Sequence, residues 1–246
     1  MGCGVRVYTA IDWALSQYEE IIVLEDDCIP QPAFFKFAAS LLERYRSDER
    51  IMHISGNNFQ NVPSGSPYSY YFSKYTHAWG WATWRRAWRH FDWRLTLWPQ
   101  FKETGGLAGW CADSLERQYW ESIFDSVYGG ALDIWDYQWN ASCWMQNGLA
   151  VLPDVNLVSN IGFGDDATHT KQRSQFLERQ VFDLHEIRHP PIVVRNVIAD
   201  AITFDSNFGG AALRRAASWQ ARVANSAATL LAPIRALRRL ARALVG

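Results

Sequence analysis

The stretch Ile21-Ile22-Val23-Leu24-Glu25-Asp26-Asp27-Cys28-Ile29-Pro30 constrains this chain more than any other. Four apolar residues, most of them β-branched, run without alternation into three carboxylates. Such a run suits a strand covered on both faces, as in a parallel sheet. An unpaired carboxylate inside that strand would be very costly. The acids therefore belong at the carboxyl end of the strand, where the chain leaves the core and where open α/β sheets bind ligands. On an extended backbone Glu25 and Asp27 share a face and Asp26 points the other way. Adjacent acids repel one another unless something positive sits among them. A divalent cation, Mg²⁺ or Mn²⁺, takes hard oxygen ligands and keeps substrate phosphates in its shell. A bare acidic triplet is also an ordinary surface turn, so the flanks matter. Pro32 stands where a first helical residue belongs. Phe34, Phe35, Phe37, Leu41, Leu42 and Tyr45 then form an apolar helical stripe.

Further along, the pattern predicts a Gly-containing opening segment over 2–7 and a helix over 9–18. It predicts strands over 50–56, 70–73, 148–153 and 155–160, and helical structure over 91–130 interrupted at Thr104-Gly105-Gly106. Ile134-Trp135-Asp136-Tyr137-Gln138-Trp139-Asn140 opens another helix. Asp136 lies in its first turn, where the helix dipole favours a carboxylate. The loop from Asn160 to Thr170 is rich in Gly, Asp and Thr, a composition whose backbone N–H groups can wrap a phosphate. After Asp205 the chain holds no acid and seven arginines, with Leu and Ile recurring at helical spacing. That tail reads as a basic amphipathic helix able to make peripheral membrane contact.

A chain of 246 residues is long enough for one large α/β domain. A net charge of −1 argues against nucleic acid as the main partner. Thirteen Trp residues supply core, and a few exposed ones would suit sugar rings. Cys3, Cys28, Cys111 and Cys143 form no C-x-x-C pair and read as reduced thiols. With no signal-peptide pattern and no apolar run of about 18 residues, the expected location is cytoplasmic, peripheral at the inner face of the membrane.

Val23 to Pro30, followed by Pro32-Ala33-Phe34-Phe35, resembles the metal-binding acidic motif of GT-A-fold glycosyltransferases. The likeness is to its Glu-Asp-Asp form, in N-acetylglucosaminyltransferases of the N-glycan-branching type and in bacterial nucleotide-diphospho-sugar transferases. It runs from about Gly2 to about Leu177. It implies a partial GT-A domain over 1–205, a Rossmann-like mixed sheet flanked by helices, with the basic tail over 206–246. The family opens with strands and a helix that hold the nucleotide base. Here the acidic motif arrives earlier, so the domain reads as N-terminally truncated.

The resemblance also implies roles. Asp27 would ligate Mn²⁺ or Mg²⁺, joined by Asp26 and by His169 of the Gly-rich loop. Arg6, Glu25, Asp26, Trp81 and His169 would line the donor, Trp81 through the segment Trp79-Gly80-Trp81 that is similar to the family's Gly-Trp block. Asp136 would be the catalytic base, with Asp133 the next choice. The function implied is metal-dependent transfer of a sugar from a nucleotide-diphosphate donor to a hydroxyl of a glycan or lipid-linked acceptor, with inversion. The alternatives are a non-catalytic glycan- or protein-binding remnant of such an enzyme, and a metal-dependent hydrolase using the same acids.

Overall fold

A computed structural model describes residues 2–60, 66–162, 184 and 186–219. The chain divides into two units, Met1–Thr203 and Phe204–Gly246. The first is a mixed α/β domain. Its strands are β1 (Glu20–Val23), β2 (Cys28–Pro30), β3 (Ile51–Ser55), β4 (Tyr70–Ser73), β5 (Trp81–Trp84), β6 (Leu149–Pro153) and β7 (Val158–Asn160). Its helices are α1 (Cys3–Gln17), α2 (Pro32–Arg44), α3 (Arg85–Trp88), α4 (Trp98–Glu103), α5 (Gly106–Trp110), α6 (Ser114–Tyr128) and α7 (Asp136–Met145), and α8 (Val197–Asn207) begins in it.

Five strands form one mixed sheet in the order β1-β5-β3-β6-β4, and β2 pairs with β7 in a separate antiparallel ribbon. β5 runs antiparallel to both β1 and β3, while β3 and β6 are parallel. The carboxyl ends of β1 and β3 therefore open on the same edge. In register, Ala82 of β5 lies between Ile22 and Ile54. All three face a core completed by Phe34, Phe37 and Leu41 of α2. Ile21, Val23, Met52 and Trp81 face the other side, against Ile11 and Leu15 of α1, Trp88 of α3, and Trp135 and Trp139 of α7.

This packing revises three expectations. β1 is covered on both faces, as its unbroken apolar run predicts, but it is not a central parallel strand. Among the described residues it pairs only with β5, antiparallel, and all four of its residues are half-buried. Helices on both sides of the sheet, rather than two neighbouring strands, remove the need for alternation. Residues 3–7 are the first turns of α1 and not a separate segment; Gly2 is the extended N-cap. Phe35 departs from the predicted stripe of α2 and is 44% exposed. Pro32 does open that helix, and the four cysteines are free. Most of the Trp residues are buried. Among the described residues no helix is long and apolar enough to cross a membrane.

His53, fully buried on β3, locks this core in one protonation state. Its Nε2 lies 2.9 Å from the His77 carbonyl, which can only accept, so Nε2 carries the proton. Its Nδ1 accepts from Trp139 Nε1 at 3.1 Å. A second proton would set N–H against N–H. Burial pulls the His53 pKa down to about 3 from the ordinary 6.5. The unfolded chain therefore takes up a proton that the folded chain refuses, and the stability held above pH 6.5 is lost as pH falls toward 3. We expect this residue to contribute about 1.4 kcal/mol per pH unit across that window. Urea midpoints of wild type and His53→Gln at steps from pH 7 to pH 4 check it: the variant should lose about one proton's worth of slope. Identical slopes would contradict the assignment.

Candidate functional site

The acidic corner follows from how β1 ends. Strand geometry stops at Val23, because the next paired residues, Cys28–Pro30, leave the sheet to join β7. The chain reverses between them: the Cys28 N–H donates to the Glu25 carbonyl at 3.0 Å, which makes Asp26 and Asp27 the central residues of a turn. The extended arrangement expected for Glu25 to Asp27 is thus replaced by a turn. Glu25 and Asp27 are half-buried and Asp26 is exposed.

The β2–β7 ribbon then fixes Asp27. Its carbonyl accepts the Ile161 N–H at 2.9 Å, and Cys28 Sγ lies 3.6 Å from its Oδ1. Gly162 packs directly on the Asp27 carboxylate, so any side chain at 162 would displace it. The neighbouring loops are equally tight. Gly80 has φ +62°, in the left-handed region, and its carbonyl accepts the Gly56 N–H at 2.6 Å. A side chain at 80 would press on Val158 and Leu24. Asn57, buried beside this crossing, accepts the Trp79 N–H through Oδ1 at 3.1 Å. Its Nδ2 has no protein acceptor among the described residues.

The start of α7 meets the corner from the other side. Trp135, the buried N-cap of α7, donates from Nε1 to Glu25 Oε1 at 3.2 Å. Its ring stacks on Trp81 at 5.3 Å, and Trp81 stacks on His53 at 4.9 Å. An aromatic pile thus runs from the core to Glu25. Asp136, the first residue of α7, is half-buried. Burial raises the Glu25 carboxyl above the usual carboxylate range. The Trp135 hydrogen bond opposes that rise, and the charges of Asp27, Asp136 and Asp26 add to it. The Tyr119 and Tyr137 hydroxyls are raised chiefly by burial, with the Asp136 charge contributing to both.

The remaining residues fall into place around this pair. Asp133 is exposed and lies over the first turn of α1, where Gly2 and Gly4 leave room for its carboxylate. Cys3 is raised by burial first, then by Glu25, Asp133 and Asp26. Arg6 is exposed on the first turns of α1 and acts on Cys3 in the opposite sense. Trp81 is fully buried, so its ring supports the site from beneath and offers no face to a ligand. His169 lies outside the described residues, as does most of the Gly-rich loop. Trp135 is the member that the sequence reading passes over. Its signal is an indole directly before the first acid of a helix.

Among the described residues no three His, Cys, Asp or Glu side chains form a group that could hold a metal ion. The donor chemistry nonetheless suits a hard cation. Mg²⁺-type sites use one or two carboxylates plus substrate phosphates rather than an all-protein cage. Asp27, held against a glycine, and exposed Asp26 are such carboxylates, and the acids that crowd Glu25 favour a positive charge nearby.

No protein-family model matches the chain, and no curated protein does.

Proposed function

We propose that this chain is a glycosyltransferase of the GT-A type. It would move a sugar from a nucleotide-diphosphate donor to a hydroxyl of a glycan or lipid-linked acceptor, assisted by Mn²⁺ or Mg²⁺. The observation that carries the reading is the convergence of the β1 acids with Asp136 through the Trp135–Glu25 hydrogen bond. The mixed sheet supports it, because the carboxyl ends of β1 and β3 open on the edge where those acids stand.

Asp27 and Asp26 would hold the cation, which supplies Lewis-acid stabilisation of the leaving diphosphate. Asp136 accepts the proton of the acceptor hydroxyl at its carboxylate as that oxygen attacks the anomeric carbon. A single displacement inverts that carbon. Glu25, fixed by Trp135, keeps the acidic turn and the base at one spacing. Asp136 is among the charges that act on Glu25, while Asp133 lies over the first turn of α1, which favours Asp136 as base.

Asp136→Asn is expected to lower transfer by about 10²–10⁴-fold while donor binding persists, and Asp133→Asn by only a few-fold. The check is release of nucleoside diphosphate coupled to acceptor glycosylation, measured for both variants. A larger loss from Asp133→Asn would move the base. Full activity in both would remove this mechanism.

A further inference from the structure

Helix α8 is apolar on its outward side as well as on its inward one. The inward side buries Ala199 and Phe204 together with polar groups. Asp200, 1% exposed, accepts from Ser73 Oγ at 2.5 Å and from Arg195 Nε at 2.6 Å. Thr203 Oγ1, also buried, accepts from Gln60 Nε2 at 2.7 Å. Its outward side carries Val197, Ile198 and Ile202, which are 61%, 72% and 46% exposed. At 3.6 residues per turn these three, with Ala201 among them, fall in one arc of roughly 140°. In the segment leading into the helix Ile192 and Val194 are 66% and 61% exposed. A helix on a protein surface ordinarily turns a polar face to solvent, and clustered exposed apolar residues mark a contact with something else.

The chemistry of that partner follows from residue type and charge. Protein interfaces rely on aromatic and arginine anchors in a packed centre. The outward face of α8 between Val197 and Ile202 offers only aliphatic side chains. The chain that follows holds seven arginines and no acid beyond Asp205, and Asp205 is itself paired with Arg214. Apolar side chains combined with surplus positive charge suit the interface of an anionic bilayer. At 11 residues the helix is too short to cross one and long enough to lie in its surface. We propose that the outward face of α8, carrying Val197, Ile198 and Ile202, docks on anionic lipid. The proposal stands independently of the glycosyl-transfer reading.

The test is sedimentation of the full chain with vesicles of mixed phosphatidylglycerol and phosphatidylcholine, and with vesicles of phosphatidylcholine alone. Wild type should sediment with the mixed vesicles. Ile198→Glu/Ile202→Glu should bind them at least about tenfold more weakly, with an unchanged circular dichroism melt because both side chains point outward. Ile198→Gln/Ile202→Gln, which adds no charge, should show the same loss, and Ile198→Leu/Ile202→Leu should retain binding. Equal sedimentation of wild type and the Glu and Gln variants would overturn the proposal, as would no sedimentation by any of them. Self-association of wild type without vesicles, abolished by the Glu variant, would assign the face to a second copy instead.

Discussion

A Lys74→Met chain is expected to lose roughly 3–5 kcal/mol of stability. That corresponds to a fall in melting temperature on the order of 10 °C for a domain of this size. Lys74 follows β4 and is 1% exposed. Its Nζ donates to Glu116 Oε1 at 2.6 Å and to the Trp110 carbonyl at 3.0 Å, and lies 3.6 Å from Cys111 Sγ. The ammonium also sits over the rings of Tyr75 and Trp144, at 5.0 and 5.5 Å. The Tyr75 hydroxyl donates to the same Glu116 oxygen, and burial raises that phenol well above its ordinary value. Removing the ammonium leaves the Glu116 carboxylate buried with no cation against it, and that orphaned charge dominates the loss. The double variant Lys74→Met/Glu116→Gln should recover much of it, because no unpaired charge remains. Thermal or urea melts of the two variants decide the matter. A single-variant loss below about 1 kcal/mol would show that the pair is not a stabilising contact.

The parts of the fold that depend on local pattern are legible in the sequence. Pro32 opens α2 because its missing N–H is already an orphan at a first helical position. Asp136 reads as a first-turn acid and is the first residue of α7. β4 appears at the predicted Tyr70–Ser73. What the sequence conceals is long-range. An edge strand covered by helices on both faces shows the same apolar run as a central strand, so the position of β1 is hidden. The turn at Asp26–Asp27 depends on β2 pairing with β7, whose residues lie more than a hundred positions later. The Trp135–Glu25 bond spans 110 positions. Nothing local in the sequence marks Lys74 as buried, since its partner Glu116 is 42 positions away. The burial of Asp200 and Thr203 on α8 emerges only once Ser73 and Gln60, more than a hundred positions earlier, meet them.

Asp27 bears most directly on function. It is the acid of the turn that the ribbon grips, with Gly162 against its carboxylate. Asp27→Ala should therefore remove cation-dependent donor binding with little effect on the fold, because the side chain is only half-buried. The decisive measurement is isothermal titration of wild type and Asp27→Ala with a panel of nucleotide-diphosphate sugars, each with and without Mn²⁺. Wild type is expected to bind at least one donor, with Mn²⁺ strengthening the binding by about a hundredfold or more, and Asp27→Ala is expected to abolish the Mn²⁺ effect. No binding of any nucleotide sugar by wild type, or an equal response to Mn²⁺ in both proteins, would contradict the proposed function.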